Sequence, residues 1–465
     1  MKTRRLAFVL LIVWLMSCNF ATRMVFPPTL TPTFTVTASL TPSLTASPTA
    51  TALVPAYVPP QCAGQSFPTV SPAEALARPT PAYPLNKEIS QVVQLHIFID
   101  MVTVIEKVYL YPDYNGHDWD EIKGRYRAKI VAGLDTESFY KEISAMIDEL
   151  GDDHSHFLSP VDVQLTDQEL QGQQEFIGIG IYANFDFEKH KIIVMEVYPD
   201  SPAEHGGLQV HDSIVQVDGL PITAENGDRL RGPLCSPVVL DVQSPADTAI
   251  HKMLLIRSSF EGNAPLETRL VKTSDGSRVG YIDLSSFYDE SYPQQMEEAL
   301  NHFGTLDGLI LDLRENGGGI NTVTFPILSL FVHGKLGDFV SRTSSTPLEV
   351  PAHEVQNSQT VPLIILVGRD TASFGEIFSG IMQDSGRAQI VGETSLGNVE
   401  ILRGYQFDDG SLLWIASEKF VSAFSNADWE ITGIIPDMQA YADWDTFTFD
   451  TDPAIAASLQ LLGHP

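Results

Sequence analysis

From residue 84 onward the chain switches between two hydrophobic periods. Apolar residues recur at helical spacing over 88–109 and again over 119–132, so each segment predicts a helix. A third begins at Asp135, a good N-cap, and sets Phe139, Ile143, Met146, Ile147 and Leu150 on one face. Together they predict a helical domain over 85–165, which contains the run Gly151-Asp152-Asp153-His154-Ser155-His156. The next block alternates like strands, over 176–181, 192–197 and 212–219, with Ser201-Pro202-Ala203 opening a helix between them. After Ser258 the runs over 279–284, 309–313 and 363–367 are strand-like and mostly apolar, and they alternate with helical stretches at 294–303 and 375–383. Apolar strands separated by helices predict a sheet covered on its faces, with function at the strand ends.

Ahead of this folded region the pattern changes twice. Lys2, Arg4 and Arg5 precede an apolar stretch over 6–16 that is too short to span a bilayer comfortably. Leu15-Met16-Ser17-Cys18 follows and resembles the lipobox of bacterial lipoproteins, which predicts cleavage before Cys18 and a lipid on its thiol. An ordinary signal peptide with a chance cysteine is the competing reading. Residues 19–84 then form a stalk whose Thr/Pro-rich tract over 27–60 is nearly free of charge and of helical periodicity.

Composition narrows the partners. With 28 Lys+Arg against 59 Asp+Glu the formal charge is −31, which repels phosphate backbones and speaks against nucleic acid. The 465 residues leave room for two or three domains. Of the three cysteines, acylation of Cys18 would leave Cys62 and Cys235 either as a bridge across the start of the folded region or as two free thiols.

The strand-rich block resembles a circularly permuted bacterial PDZ domain over 166–258. Gly178-Ile179-Gly180-Ile181 matches a peptide-binding loop, Ser201-Pro202-Ala203 with Gly207-Leu208 a helix start, and Asp212-Ser213-Ile214 with Val217-Asp218-Gly219 a strand. The resemblance implies capture of an extended C-terminal peptide by strand addition, its carboxylate held by backbone amides. A generic β-domain with glycine turns is the plainer alternative.

Further on, Asp312-Leu313-Arg314-Glu315-Asn316-Gly317-Gly318-Gly319 and Thr371-Ala372-Ser373-Phe374-Gly375-Glu376 resemble two segments of the C-terminal processing peptidases, the tail-specific proteases. The resemblance spans about 119–437. It implies a multidomain α+β protein whose catalytic domain, over 259–465, has a crotonase-like or ClpP-like core of sheet and helices. It also implies Ser373 as nucleophile, with the amides of Gly318 and Phe374 as oxyanion donors. A serine opening a helix also serves as an N-cap, and that reading stands beside the catalytic one.

One position departs from the family. Its general base is a lysine, and Gly392-Glu393-Thr394-Ser395-Leu396-Gly397-Asn398 puts asparagine there, with no lysine between Ser373 and Glu418. Asn398 accepts no proton at neutral pH. The related tricorn-type peptidases use serine, histidine and glutamate, and the matching residues are His154 and Glu430, the latter ahead of Gly433-Ile434-Ile435-Pro436-Asp437. The expected set is therefore Ser373 as nucleophile, His154 as base and Glu430 in support. Against it, His154 could cap a helix or close a domain junction, and Glu430 could be a surface carboxylate. His156 is a weaker rival, and Asp152, Asp153, His154 and His156 lack the spacing of a metal site. The expectation is a lipid-anchored exported endopeptidase for proteins with free C-termini, needing no cofactor or metal. A pseudoprotease that only binds peptides is the alternative.

Overall fold

The computed structural model describes residues 53–68, 72, 74, 84–152, 154–170, 176–223, 227–245, 247, 249–260, 264–441 and 443–464. Cys18 with its lipobox, most of the expected stalk and Asp153 lie outside the described residues. The chain divides into two compact units. One contains Ala82–Gln174 and Asn263–Pro465, the other Ser17–Pro81 and Glu175–Gly262.

In the first unit the three expected helices form where the caps allow. Ser90 accepts from Val93 N–H ahead of Gln91–Val108, Asp118 from Glu121 N–H ahead of Trp119–Ala132, and Asp135 from Ser138 N–H ahead of Thr136–Asp148. These helices are not a domain of their own, contrary to the boundary expected at 165. Their buried face, including Met101, Ile105, Phe139, Ile143 and Met146, packs with Leu413, Ile415 and Ala416 in one core. The strand His156–Leu158 pairs with Leu412–Ser422, which also pairs with Gly334–Val340 and Glu400–Gln406. A short helical segment has too little surface to bury its own apolar stripe, so a distant strand completes the core.

The same unit holds the six-stranded sheet on which the expected motifs sit. Its order is Thr268–Val271, Val279–Asp283, Gly308–Asp312, Leu363–Val367, Gln389–Gly392, Met438–Gln439. The first pair is antiparallel and the rest are parallel. Strand periodicity sends Leu309, Leu311 and Ile365 into one core with the helices Tyr292–Phe303, Asn321–Phe331 and Phe374–Asp384. Ile310, Ile364 and Leu366 enter another core on the opposite face, against Pro453–Leu462. That double burial explains why these strands read as nearly continuous apolar runs.

In the second unit the run over 176–181 is not one strand. It breaks into Phe176–Gly178 and Ile181–Asp186 because Gly180 adopts φ +82°, where a Cβ would lie 2.1 Å from Ser201 Cβ. The main sheet runs Ile181–Asp186, Lys191–Val197, Ser213–Val217, Pro237–Gln243, His251–Ile256, with Leu220–Pro221 paired to Ser213–Val217. Cys62 and Cys235 are bridged, which decides between the two readings left open by the sequence.

Candidate active site

Three adjacent parallel strands end in the three chemistry-bearing segments. Gly308–Asp312 leads into the glycine turn, Leu363–Val367 into Ser373, and Gln389–Gly392 into the loop carrying Asn398. The carboxyl ends of neighbouring parallel strands are where open α/β sheets place their ligands.

The glycine turn is built on Asn316, which is fully buried. Its Nδ2 donates to Leu284 O at 2.7 Å, its Oδ1 accepts from Gly318 N–H at 2.8 Å, and its carbonyl accepts from Ala372 N–H at 3.0 Å. Asn316 thus fastens the turn to the segment that carries the serine. Arg314 secures the strand end below it, bonded to Asp312 and, at 2.8 Å, to Asp452. Gly318 has φ +101°, and a Cβ on it would lie 2.7 Å from Ser373 Cβ. Only glycine fits that contact. Its amide is taken up by Asn316 Oδ1, so the structure does not offer Gly318 N–H as an oxyanion donor. Phe374 N–H has no acceptor among the described residues and is the donor left open at this turn.

Ser373 occupies the N-cap position of Phe374–Asp384 with φ 51° and ψ −124°, a backbone region that non-glycine residues adopt only under strain. Its side chain makes no cap hydrogen bond. Capping is therefore not what holds a serine here. Its own N–H donates to Asn398 O at 2.7 Å, which seats Asn398 beside it.

The loop carrying Asn398 is held by Glu376, one turn into the helix and fully buried. Glu376 accepts from Ser395 Oγ at 2.5 Å, Gly397 N–H at 2.7 Å and Asn398 N–H at 2.8 Å. Burial pushes its carboxyl up to about 7, against the pull of those donors. Asn398 is itself buried, and its Oδ1 has no hydrogen-bond partner among the described residues. Lys419, the next lysine along the chain, has its ammonium 3.9 Å from Asp428 and is well exposed.

His154 stands beyond a turn tied by Asp152, whose Oδ1 accepts from His154 N–H at 3.0 Å and from Ser155 N–H at 2.7 Å. Asp152 does the local capping, and the imidazole is left for something else. His154 is buried, with Nδ1 3.6 Å from Glu400 Oε2, the distance of a charge pair rather than a hydrogen bond. Neither atom has a hydrogen-bond partner among the described residues. Glu400, only 1% exposed, also accepts from Tyr111 OH at 2.7 Å. Glu430 lies against Glu400 rather than against His154, and its Oε2 accepts from Val399 N–H at 2.8 Å.

The two carboxyl groups titrate apart. Burial and the hydrogen bond with Glu400 push Glu430 well above the carboxylate range, so it is held protonated. Burial alone would raise Glu400, but the facing His154 imidazole, the neighbouring Glu430 and the hydrogen bond from Tyr111 OH hold it below its ordinary value. An ionised Glu400 thus stands between a neutral acid, a phenol and an imidazole. Sequence reasoning missed Glu400, Tyr111 and the role of Glu376. Glu376 falls inside the quoted serine segment, whereas Tyr111 and Glu400 are 289 residues apart and share no spacing rule. His156 is turned away from this group, its Nδ1 3.0 Å from His154 O.

In the other unit, Ile181–Asp186 is the edge of its sheet, and Gly180 and Ile179 lie just before it, with Ile179 buried. The carbonyls of Ile179 and Gly180 accept from Ala203 N–H at 2.8 Å and Tyr198 N–H at 3.1 Å, which fixes the loop that precedes the open edge. Among the described residues, Asp200, Glu204 and His205 are close enough together to hold a metal ion, and all three are exposed.

Fold and site together resemble those of a serine peptidase that carries a PDZ domain. Residues 278–440 match peptidase family S41 and residues 193–244 match the PDZ domain. Over most of its length the chain is similar to carboxyl-terminal-processing proteases. It is 28% identical over 368 residues to the carboxyl-terminal-processing protease of Synechocystis, covering 77% of this chain and 84% of that one. It is 25% identical over 406 residues to the chloroplastic carboxyl-terminal-processing peptidase 3 of Arabidopsis thaliana, covering 82% and 76%. Among solved structures, the photosystem II D1 C-terminal processing protease shares the fold with a TM-score of 0.54 at 23% identity, over 79% of this chain and 99% of that one. A putative S41 protease from Bacteroides fragilis does so with a TM-score of 0.58 at 16% identity, over 83% and 99%.

Proposed function

We propose that this chain is an exported serine endopeptidase that cuts protein substrates near their C-termini, with Ser373 as nucleophile and His154 as base. The observation that carries the reading is Ser373, held in a strained conformation at a strand-to-helix turn with a side chain that caps nothing. In the proposed reaction Ser373 Oγ bonds to the peptide carbonyl carbon while its proton passes to His154 Nε2. The carbonyl electron pair moves onto oxygen, where Phe374 N–H and the N-terminus of its helix stabilise it. Collapse breaks the C–N bond, the amine leaves with the proton from His154, and water then hydrolyses the acyl-enzyme.

The open edge of Ile181–Asp186, with Gly178, Ile179, Gly180 and Ile181 at its start, suits capture of an extended peptide with a free C-terminus. The Cys62–Cys235 bridge supports an oxidising compartment, and the lipobox supports an anchor at Cys18 on the outer face of the membrane. No helix among the described residues is long and apolar enough to cross a membrane.

Two observations favour the second reading, a peptide-binding protein without activity. Asn398 stands at the family's lysine position, and the Gly318 amide is engaged by Asn316. Fluorophosphonate labelling and casein digestion separate the two. Labelled, active wild type beside inert Ser373→Ala and His154→Ala supports the peptidase, with activity that falls in acid as a histidine base takes up a proton. Unlabelled wild type, with activity created by Asn398→Lys, establishes the other.

A further inference from the structure

We propose that Glu400, not Glu430, is the carboxylate that positions the His154 imidazole, and that Tyr111 and Glu430 serve to hold Glu400 in place. The inference rests on His154 being the base.

Geometry carries it. Nδ1 of His154 and Oε2 of Glu400 face each other across 3.6 Å, and each is buried with no hydrogen-bond partner among the described residues. A buried carboxylate oxygen and a buried imidazole nitrogen left unpaired are both costly, and each is the other's remedy. A contraction of less than ~1 Å makes a charge-assisted bond of ordinary length. Catalytic contacts are commonly this loose without substrate.

The other oxygen of Glu400 is fixed by Tyr111 OH at 2.7 Å. On its other side Glu430 is tied to Val399, the residue preceding Glu400, through Val399 N–H at 2.8 Å. The strand Glu400–Gln406 therefore presents its first residue to the histidine from a fixed backbone. Glu430 has no contact with His154 within ion-pair distance among the described residues, so it acts only through Glu400.

An ionised Glu400 selects the tautomer that carries hydrogen on Nδ1. The Nε2 lone pair is then the one that takes the Ser373 proton. Among the described residues, the remaining titratable groups recognisable near His154 are Asp152 on its own turn, His156 and Glu376. None of them is in ion-pair contact with Nδ1 among the described residues.

The test uses the full chain with Glu400→Gln, Tyr111→Phe and His154→Ala. Glu400→Gln is expected to lower kcat about 10³-fold with KM changed less than about threefold. The acid limb of kcat/KM should move to lower pH, because a negative neighbour that favours imidazolium has gone. Tyr111→Phe should give a smaller drop in the same direction. Nitrogen-15 NMR of histidine-labelled protein, with His154 assigned from His154→Ala, should show hydrogen on Nδ1 in wild type above its titration. That readout needs no mutant at position 400 to fold. His154 with hydrogen on Nε2, or Glu400→Gln with near-wild-type kcat and an unmoved acid limb beside an inert His154→Ala, overturns the role of Glu400 alone. An active His154→Ala overturns the base assignment on which it rests.

Discussion

Replacing Glu376 with alanine tests whether the loop beside the nucleophile is held from within the helix. The wild-type carboxylate accepts from Ser395 Oγ, Gly397 N–H and Asn398 N–H in a site with no solvent exposure. Alanine leaves those donors without an acceptor, at about 1–3 kcal/mol for each that stays dry, and about 4 kcal/mol in total is a central expectation. At roughly 2–4 °C per kcal/mol, the unit should melt about 8–16 °C lower. Glutamine keeps one acceptor oxygen and should recover about half of that loss.

Glutamine also reports the pH dependence. The folded carboxyl titrates at about 7 against an ordinary value of 4.5. A raised pKa favours the protonated folded form, so its stabilisation is present below 4.5 and is lost as pH rises through 7. The span corresponds to about 3 kcal/mol. Wild type should therefore lose stability between pH 5 and pH 8 relative to Glu376→Gln, which cannot titrate there. Thermal melts of the three proteins at both pH values decide it. If Glu376→Ala melts within 2 °C of wild type, or Glu376→Gln keeps the wild-type pH slope, the account of this loop is wrong.

Gly318→Ala places a methyl 2.7 Å from Ser373 Cβ on a residue at φ +101°, so labelling of Ser373 should fall at least about 100-fold. Strain of about 1–3 kcal/mol should show as a modest fall in Tm, whereas Gly317→Ala, with nothing within 4 Å of the new carbon, should label normally. The Cys62–Cys235 bridge closes a sequence separation of 173 residues, worth up to about 5 kcal/mol in the chain-entropy limit. Reduction should lower the melting temperature of the PDZ unit and leave a Cys62→Ser/Cys235→Ser double variant unmoved, and an unshifted wild type would count against that contribution.

Periodicity, caps and glycine turns are local, and they made much of the fold legible before any coordinate. Asp135 and Phe139 to Leu150 mark a helix because an amphipathic stripe and an N-cap oxygen act within a few residues. The runs at 309–311 and 363–367 read as strands buried on both faces because no polar residue interrupts them. Ser373 could be picked out because its strand, turn and helix are contiguous. The tertiary structure alone decided the rest. That the helical segment shares a core with Leu413 and Ile415 depends on which distant strand covers its apolar face. Ile181–Asp186 separates from Phe176–Gly178 because Gly180 meets Ser201, twenty-one positions along the chain. Asn316 takes the Gly318 amide through a side-chain bond that the motif does not announce. Glu400 meets Tyr111 and His154 because the strand pairing around Leu412–Ser422 brings the ends of two remote segments together. Local pattern sets which backbone a segment adopts, but a buried charge finds its partner only when the whole chain has closed around it.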